Sequence, residues 1–415
     1  MSQYKSDLLR LLDERGYIHQ LTDAEGLDAL AQRQVVPGYI GFDATAPSLH
    51  VGSMVQIMLL RRLQQTGHKP VVLMGGGTTR IGDPTGRDES RKMLSNETID
   101  ANIASIRTVF ERFLTFAPEG EMGGPTDAVM VNNHDWLGQL GYIELLQEVG
   151  THFTINRMLT FDSVRLRLDR EQPMTFLEFN YMILQGYDFR HLAKNMGVRL
   201  QMGGSDQWGN IVNGVELTRR MDGVEVFGVT TPLLTTADGA KMGKTAAGAV
   251  WLNDEQLPSY DFWQYWRNVD DRDVGKFLRL FTDLSLDEVA RLEALQGAEI
   301  NQAKVVLANE ITGMVRGGEA ARAAEATAAA TFAGGGLGED LPVLEVSSEG
   351  IRLGAACTAV GFTASNGEAK RKIAEGAVRI DDEPVTDPAF LVEVAPGQER
   401  KLSLGRKRHA ILRGS

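Results

Sequence analysis

The sequence predicts an α/β protein: a parallel sheet with a crossover helix, then a helical region, then a small α+β piece. Three observations predict it. A β-prone run, a helix-period segment and a second apolar run follow one another between residues 39 and 77, the signature of a βαβ unit. Apolar runs at 69–77 and 198–204 both end in glycine clusters. Beyond residue 252 the pattern turns helical and then loosens at a glycine-rich stretch.

The first strand is "YIGFD" (39–43). From Leu49 to Gly67, apolar residues at Val51, Val55, Met58, Leu59 and Leu63 recur with a helical period. Ser48 is the expected N-cap and Gly67 the expected stop. "KPVVLMGGG" (69–77) and "VRLQMGG" (198–204) read as buried strands that run into glycines. Ligands of open parallel sheets bind beyond the carboxyl ends of the strands, so these ends are expected around one cleft. Residues 252–333 read as helical, with "DFWQYWRNVDDRDVGKFLRLF" amphipathic and "EAARAAEATAAATF" alanine-rich. "AGGGLGEDLP" (333–342) reads as a flexible linker before the α+β piece.

The 415 residues imply two or three domains and a sizeable core. No apolar run approaches the roughly 20 residues that span a bilayer. The amphipathic, mixed-charge N-terminus is not a signal peptide, so a cytoplasmic protein without a membrane role is expected. A single cysteine, Cys357, excludes an internal disulfide and argues against a multi-cysteine metal site. The net charge of −12 is uneven: residues 352–415 hold 11 basic against 8 acidic side chains, and the rest hold 32 against 47. A weakly basic tail on an acidic body fits nucleic acid held through one module, and equally a solvated tail.

Four stretches carry chemistry. In "FDATAPSLHVGS" (42–53), His50 and Ser53 share a face of the first helical turn, beside free N–H groups, and Gly52 permits close approach of a ring or phosphate. A capping histidine without a ligand has the same pattern. In "ADGAKMGKT" (237–245), Lys241 and Lys244 stand on a glycine-rich loop able to close on a polyphosphate, or to stay solvated. In "FNYMILQGYDF" (179–189), Tyr181, Gln185 and Asp188 form one polar stripe on an otherwise apolar helix. A buried stripe needs polar partners, and a polar ligand would serve, with Tyr39 beside it. In "GGSDQWGN" (203–210), Asp206 and Gln207 can bond ribose hydroxyls or an ammonium, unless the segment is only a glycine turn.

In this order the stretches resemble the class I aminoacyl-tRNA synthetases: "HVGS" is similar to their HIGH signature and "KMGKT" to KMSKS. "YIGFDATAPSLHVG", "GGGTTRIGDPTGR", "YMILQGYD" and "GGSDQWGN" resemble the bacterial tyrosyl branch over essentially the whole chain. "TASNGEAKRKIAEGAVRIDDEPV" (363–385) is similar to the S4 RNA-binding module that ends chains of that branch. The signature's second histidine is Ser53 here, shorter and uncharged.

The resemblance implies a Rossmann-like catalytic domain over 1–252 including the KMGKT loop, an α-helical anticodon-binding domain over 253–335, a linker over 336–349 and an S4-like domain over 350–415. It implies tyrosine activation by ATP, with Mg²⁺, and transfer to tRNA(Tyr), in a homodimer without a prosthetic group or resident metal. His50, Thr45, Arg87, Lys241 and Lys244 would be catalytic. Tyr39 and Asp188 would meet the phenol; Asp83, Tyr181 and Gln185 the ammonium group; Gln201 would also line the tyrosine site. Gly41, Asp43, His50, Gly52, Ser53, Gly203, Asp206, Gln207 and Lys244 would meet ATP. The alternatives are a tryptophanyl enzyme, a small-molecule nucleotidyltransferase and a non-enzymatic RNA-binding protein. A phenol-plus-carboxylate pair suits a hydroxyl better than an indole N–H.

Overall fold

The computed structural model describes residues 2–83, 94–118, 123–240, 242–245, 248–334, 341–347, 349–405 and 408–415. The chain divides into two compact units, residues 1–241 with 279–281, and the remainder.

The first unit is built on a six-stranded sheet. Its strands are β1 (Gln20–Leu21), β2 (Pro37–Phe42), β3 (Lys69–Met74), β4 (Val129–Asn132), β5 (Leu200–Gly204) and β6 (Phe227–Thr231), in the order β1-β6-β5-β2-β3-β4. All neighbours are parallel except β1, which pairs antiparallel with β6. The expected βαβ unit is β2, helix Met54–Gln65 and β3. That helix buries Val55, Ile57, Met58, Leu59, Leu60 and Leu63, so its apolar period faces the sheet. Chain order runs outward from β2 to β4 on one side and from β5 to β6 on the other. The strand order therefore reverses between β2 and β5, the position at which such sheets open a ligand crevice.

The start of that helix differs from the expectation. Ser48 does not cap it; its hydroxyl donates to Leu49 O instead. A 3-10 turn, Val51–Ser53, intervenes, and His50 caps it by accepting Gly52 N–H on Nδ1 at 3.0 Å. Gly67 does end the helix region, with φ of 81°.

Helix Phe176–Met196 opens with a capping box between Thr175 and Glu178. The buried Glu178 also accepts from Arg167 at 2.8 Å. Helix Trp208–Asp222 packs along it through glycines. A Cβ on Gly214 would lie 2.9 Å from two atoms of Phe189, and one on Gly186 would lie 3.3 Å from Phe153 Cζ.

The second unit is helical and then α+β. Its helices include Ser259–Arg267, Leu286–Glu293, Ile300–Arg316 and Gly318–Gly334. The long amphipathic run at 261–281 is broken, because the Asp270 side chain accepts Arg272 N–H and starts a 3-10 turn, Asp271–Asp273, before helix Val274–Phe281. Of the KMGKT segment, Lys244–Thr245 pairs antiparallel with Gly248–Ala249, and Gly243 and Gly248 have φ of 117° and 120°.

The α+β part is a five-stranded sheet in the order Glu383–Pro384, Val378–Ile380, Glu399–Leu404, Arg408–Gly414, Val343–Val346. Helices Leu353–Ala359 and Asn366–Ala374 cover it over a core that includes Leu353, Cys357, Ile373, Val378, Val392 and Leu402. Strand Val343–Val346 lies within the stretch expected as a linker, and pairs parallel with the last strand. Among the described residues no helix is long and apolar enough to cross a membrane, and no cluster of His, Cys, Asp and Glu could hold a metal ion.

Candidate active site

The carboxyl ends of β2, β3 and β5 carry the loops that the sequence singled out. After β2 the backbone is pinned: Ala44 N–H donates to Thr79 Oγ1 at 2.9 Å, and Ala44 O accepts from Asn102 Nδ2 at 2.8 Å. Thr45 is therefore held exposed next to a fixed residue. Asp43, before it, accepts from Thr78 Oγ1 at 3.1 Å. Gly75, which follows β3, sits so close to both that a Cβ would lie 2.5 Å from Asp43 Oδ1 and from Thr78 Oγ1. Only glycine fits that approach.

His50 is half-buried, and Gly52 N–H already occupies its Nδ1. In the neutral ring the proton is then on Nε2, a donor suited to a phosphate oxygen. Ser53 makes no capping bond with its side chain. The helix behind them reaches the end of β5, where a Cβ on Gly204 would lie 3.5 Å from Gln56 Nε2 and 2.5 Å from Asp206 Oδ1. The HVGS turn and the GGSD turn thus face one another. Gly203 is buried and Asp206 exposed. Gly41 is exposed, and among the described residues a Cβ there would touch only Leu73 Cδ2, at 3.9 Å.

A second group lies deeper. Tyr39 on β2 is 1% exposed and packs edge-on against Phe189, with ring centroids 5.3 Å apart. Its hydroxyl is buried with no hydrogen-bond partner among the described residues. Asp188, 2% exposed, accepts from Asn133 Nδ2 at 2.9 Å and Trp136 Nε1 at 2.7 Å. Burial pushes its carboxyl up to about 7; these two donors restrain the rise, and the negative charge of Asp43 adds to it. Burial, and then the charge on Asp188, raises the Tyr39 phenol well above its ordinary value. A buried hydroxyl without a partner among the described residues, beside a carboxyl whose charge burial disfavours, is a site that a hydroxyl-bearing ligand would relieve.

The third group is a chain of amides. Gln207 Nε2 donates to Asp83 Oδ2 at 3.0 Å, and Gln207 Oε1 accepts from Gln185 at 3.3 Å and Asn210 at 3.1 Å. Gln207, expected with ATP, therefore stands between two residues expected at the ammonium group. Gln185 Oε1 and Gln201 Oε1 are buried without partners among the described residues, and Tyr181 is buried on the same helix. An unsatisfied carbonyl on Gln185, linked through Gln207 to the Asp83 carboxylate, suits a cationic amine.

Arg87 and Lys241 lie outside the described residues, and Lys244 lies in the short hairpin of the second unit. Sequence reasoning missed Asn133, Trp136 and Thr78. Asn133 Nδ2 also donates to Thr78 Oγ1 at 3.1 Å, so one network runs from Asp43 through Thr78 and Asn133 to Asp188. The signal available was polar residues at strand ends, "GGGTT" and "NNHDW", which the topology brings to the same edge as β2.

Comparison with known proteins gives the family. The chain is 71% identical over 413 residues, covering 100% of both chains, to a tyrosine–tRNA ligase of Novosphingobium aromaticivorans, and 62% identical to one of Rhodospirillum rubrum, covering 100% of this chain and 99% of that one. Among solved structures it is similar to the C-terminally truncated mitochondrial tyrosyl-tRNA synthetases of Coccidioides posadasii (33% identity, TM-score 0.66, 77% of this chain and 91% of that one) and Aspergillus nidulans (29%, 0.70, 79% and 95%). A tryptophanyl-tRNA synthetase of Encephalitozoon cuniculi, at 12% identity, shares the fold alone. The family model for class I tRNA synthetases of the W and Y type matches residues 32–333, and the chain belongs to that family.

Proposed function

We propose that the chain is a tyrosine–tRNA ligase, which joins tyrosine to ATP as tyrosyl-adenylate with release of pyrophosphate and then transfers the tyrosyl group to the 3′ end of tRNA(Tyr). The observation that carries the choice of amino acid is the pair at the bottom of the cleft: Tyr39, whose buried hydroxyl has no partner among the described residues, and Asp188 as a buried acceptor. A substrate hydroxyl donates to the carboxylate and accepts from Tyr39. An indole N–H can only donate and would leave Tyr39 unpaired.

The amino-acid carboxylate attacks the α-phosphorus in line. It is already ionised at neutral pH, so no protein base is needed, and catalysis rests on position and on charge complementarity. Asp83, Tyr181, Gln185, Gln201 and Gln207 hold the ammonium end; Gly41, Asp43, Gly52, Ser53, Gly203 and Asp206 surround the nucleotide. His50 Nε2–H, Thr45, Arg87, Lys241 and Lys244 meet charge that develops on the leaving pyrophosphate, and Mg²⁺ arrives with ATP as part of the substrate.

The reading extends to a cytoplasmic homodimer. Tyr142, Ile143, Ile155, Leu166, Leu168 and Phe176 are 45–68% exposed within residues 142–176, an apolar concentration of the kind a second copy covers. The S4-like module over 350–415 and the helical domain over 253–335 take the tRNA. ATP–pyrophosphate exchange with each amino acid in turn tests the enzyme class and the substrate together: exchange that depends on tyrosine is expected, and exchange driven by tryptophan, or by none, refutes the proposal.

A further inference from the structure

Trp136 reaches Asp188 from a slight support. It belongs to the single turn His134–Leu137 that follows β4, and its indole is half-buried. One edge of that ring donates to Asp188 Oδ1 at 2.7 Å. One face is covered by the imidazole of His191, with ring centroids 4.3 Å apart and planes 12° from parallel. Asp188 and His191 stand three residues apart on helix Phe176–Met196, so they share one of its faces. The helix thus gives the indole both an acceptor for its edge and a plane for its face. The Tyr187 ring lies 6.3 Å from His191 at 39° and flanks the imidazole. Trp136, Gln139, Leu140, Tyr187 and His191 line an open cleft of about 350 Å³. Without a ring at position 191, the stacked face of the indole would lose its cover beside that open space, and its side-chain torsions would be free to carry Nε1 away from the carboxylate.

We infer that His191 is a positioning residue for substrate selection: its stack on Trp136 keeps the indole N–H on Asp188, and so keeps that carboxylate aimed at the substrate hydroxyl. The inference rests on the tyrosine reading above. His191 itself contacts the stack and not the substrate, so its effect is confined to the hydroxyl end of the pocket. Of the nucleotide residues Asp43 reaches Asp188 through Thr78 and Asn133, not through Trp136, and the ammonium residues Asp83, Gln185 and Gln207 are joined by bonds of their own, so this substitution leaves both in place.

The test compares the full chain with His191→Ala, His191→Leu and His191→Phe in pyrophosphate exchange, with tyrosine and with phenylalanine. Weakening one charge-assisted hydrogen bond without deleting it lowers the tyrosine-to-phenylalanine ratio of kcat/KM by about tenfold in His191→Ala, chiefly through the KM for tyrosine. The KM for ATP stays unchanged. His191→Phe, which keeps a plane, returns the ratio to within about twofold of the parent, whereas His191→Leu, which keeps bulk alone, stays near the alanine value. An unchanged ratio in His191→Ala overturns the inference, as does rescue by leucine equal to that by phenylalanine. If the alanine variant does not fold, the leucine and phenylalanine pair decides. A parent enzyme that does not prefer tyrosine defeats the reading above and this inference together; a tyrosine-preferring parent with indifferent variants defeats this inference alone.

Discussion

Replacing Asp188 by Asn removes a charge and no heavy atom, and the surrounding donors make its cost calculable. The two carboxylate oxygens accept from Trp136 and from Asn133. An amide keeps one acceptor and turns its NH₂ toward a donor. Neither neighbour can invert: an indole only donates, and Asn133 is fixed by donating to Thr78 Oγ1 at 3.1 Å and accepting Gly77 N–H at 2.7 Å. The phenol therefore loses a charge-assisted bond worth about 1.5–3 kcal/mol, or roughly 10- to 150-fold in kcat/KM. Phenylalanine makes no such bond and should change by less than about threefold. Pyrophosphate exchange with both amino acids measures the two ratios, with a thermal melt to show the variant is folded. An equal fall for both would refute the placing of the phenol at Asp188. The melts carry a second check. In the free protein burial holds this carboxyl at about 7, above the roughly 3.9 of an unfolded aspartate. The folded state binds the proton more tightly, so this group's contribution to stability falls as pH rises from about 4 through about 7. The Asn variant lacks that slope, and its melting temperature relative to the parent should climb between about pH 4 and 7 and level off above.

Lys244→Ala is expected to leave the Kd for tyrosine within about twofold while slowing single-turnover adenylate formation by about a hundredfold or more, because it meets leaving-group charge only; a parallel loss of both would remove it from that role. Removal of residues 341–415, a cut placed before the strand Val343–Val346 because that strand belongs to the C-terminal sheet, should preserve pyrophosphate exchange and lower tRNA charging at least about tenfold at physiological salt; loss of exchange in a folded truncation would make the module structural. Phe176→Glu, at the most exposed of the large apolar side chains, should shift the molar mass in light scattering from dimer to monomer; an unshifted dimer would place the interface elsewhere.

The periodic and glycine-marked elements were legible in the sequence because their causes are local. The helical period behind HVGS, the strands that run into glycines and the polar stripe at 181, 185 and 188 each declare themselves within a few residues. The partners of that stripe do not. Asn133 and Trp136 stand more than 50 residues before Asp188 and reach it only because β4 and helix Phe176–Met196 meet across the sheet. Gln207 suits ribose hydroxyls or an ammonium equally from its own loop, and joins Asp83, 124 residues away, once the crevice between β2 and β5 is formed. The helix cap at His50 in place of Ser48 shows the limit on the local side: a serine before a helix period satisfies the pattern, but a 3-10 turn shifts the cap by two residues. The two-residue strand β1 carries no periodic signal and is defined by its pairing with β6.

The glycine contact between the two long helices constrains how this pocket could be redesigned for another amino acid. Gly214 lies against Phe189, the residue after Asp188, and Phe189 in turn packs on Tyr39. A methyl group at 214 would push on the backbone that carries the recognition carboxylate without touching any ligand. Libraries that vary positions 39 and 188 change the chemistry of the cavity on a fixed frame. Libraries that admit alanine at 186 or 214 move the frame itself, and with it both recognition residues at once. A side-chain exchange selected on one frame would then not transfer to the other, so the two kinds of change have to be explored together.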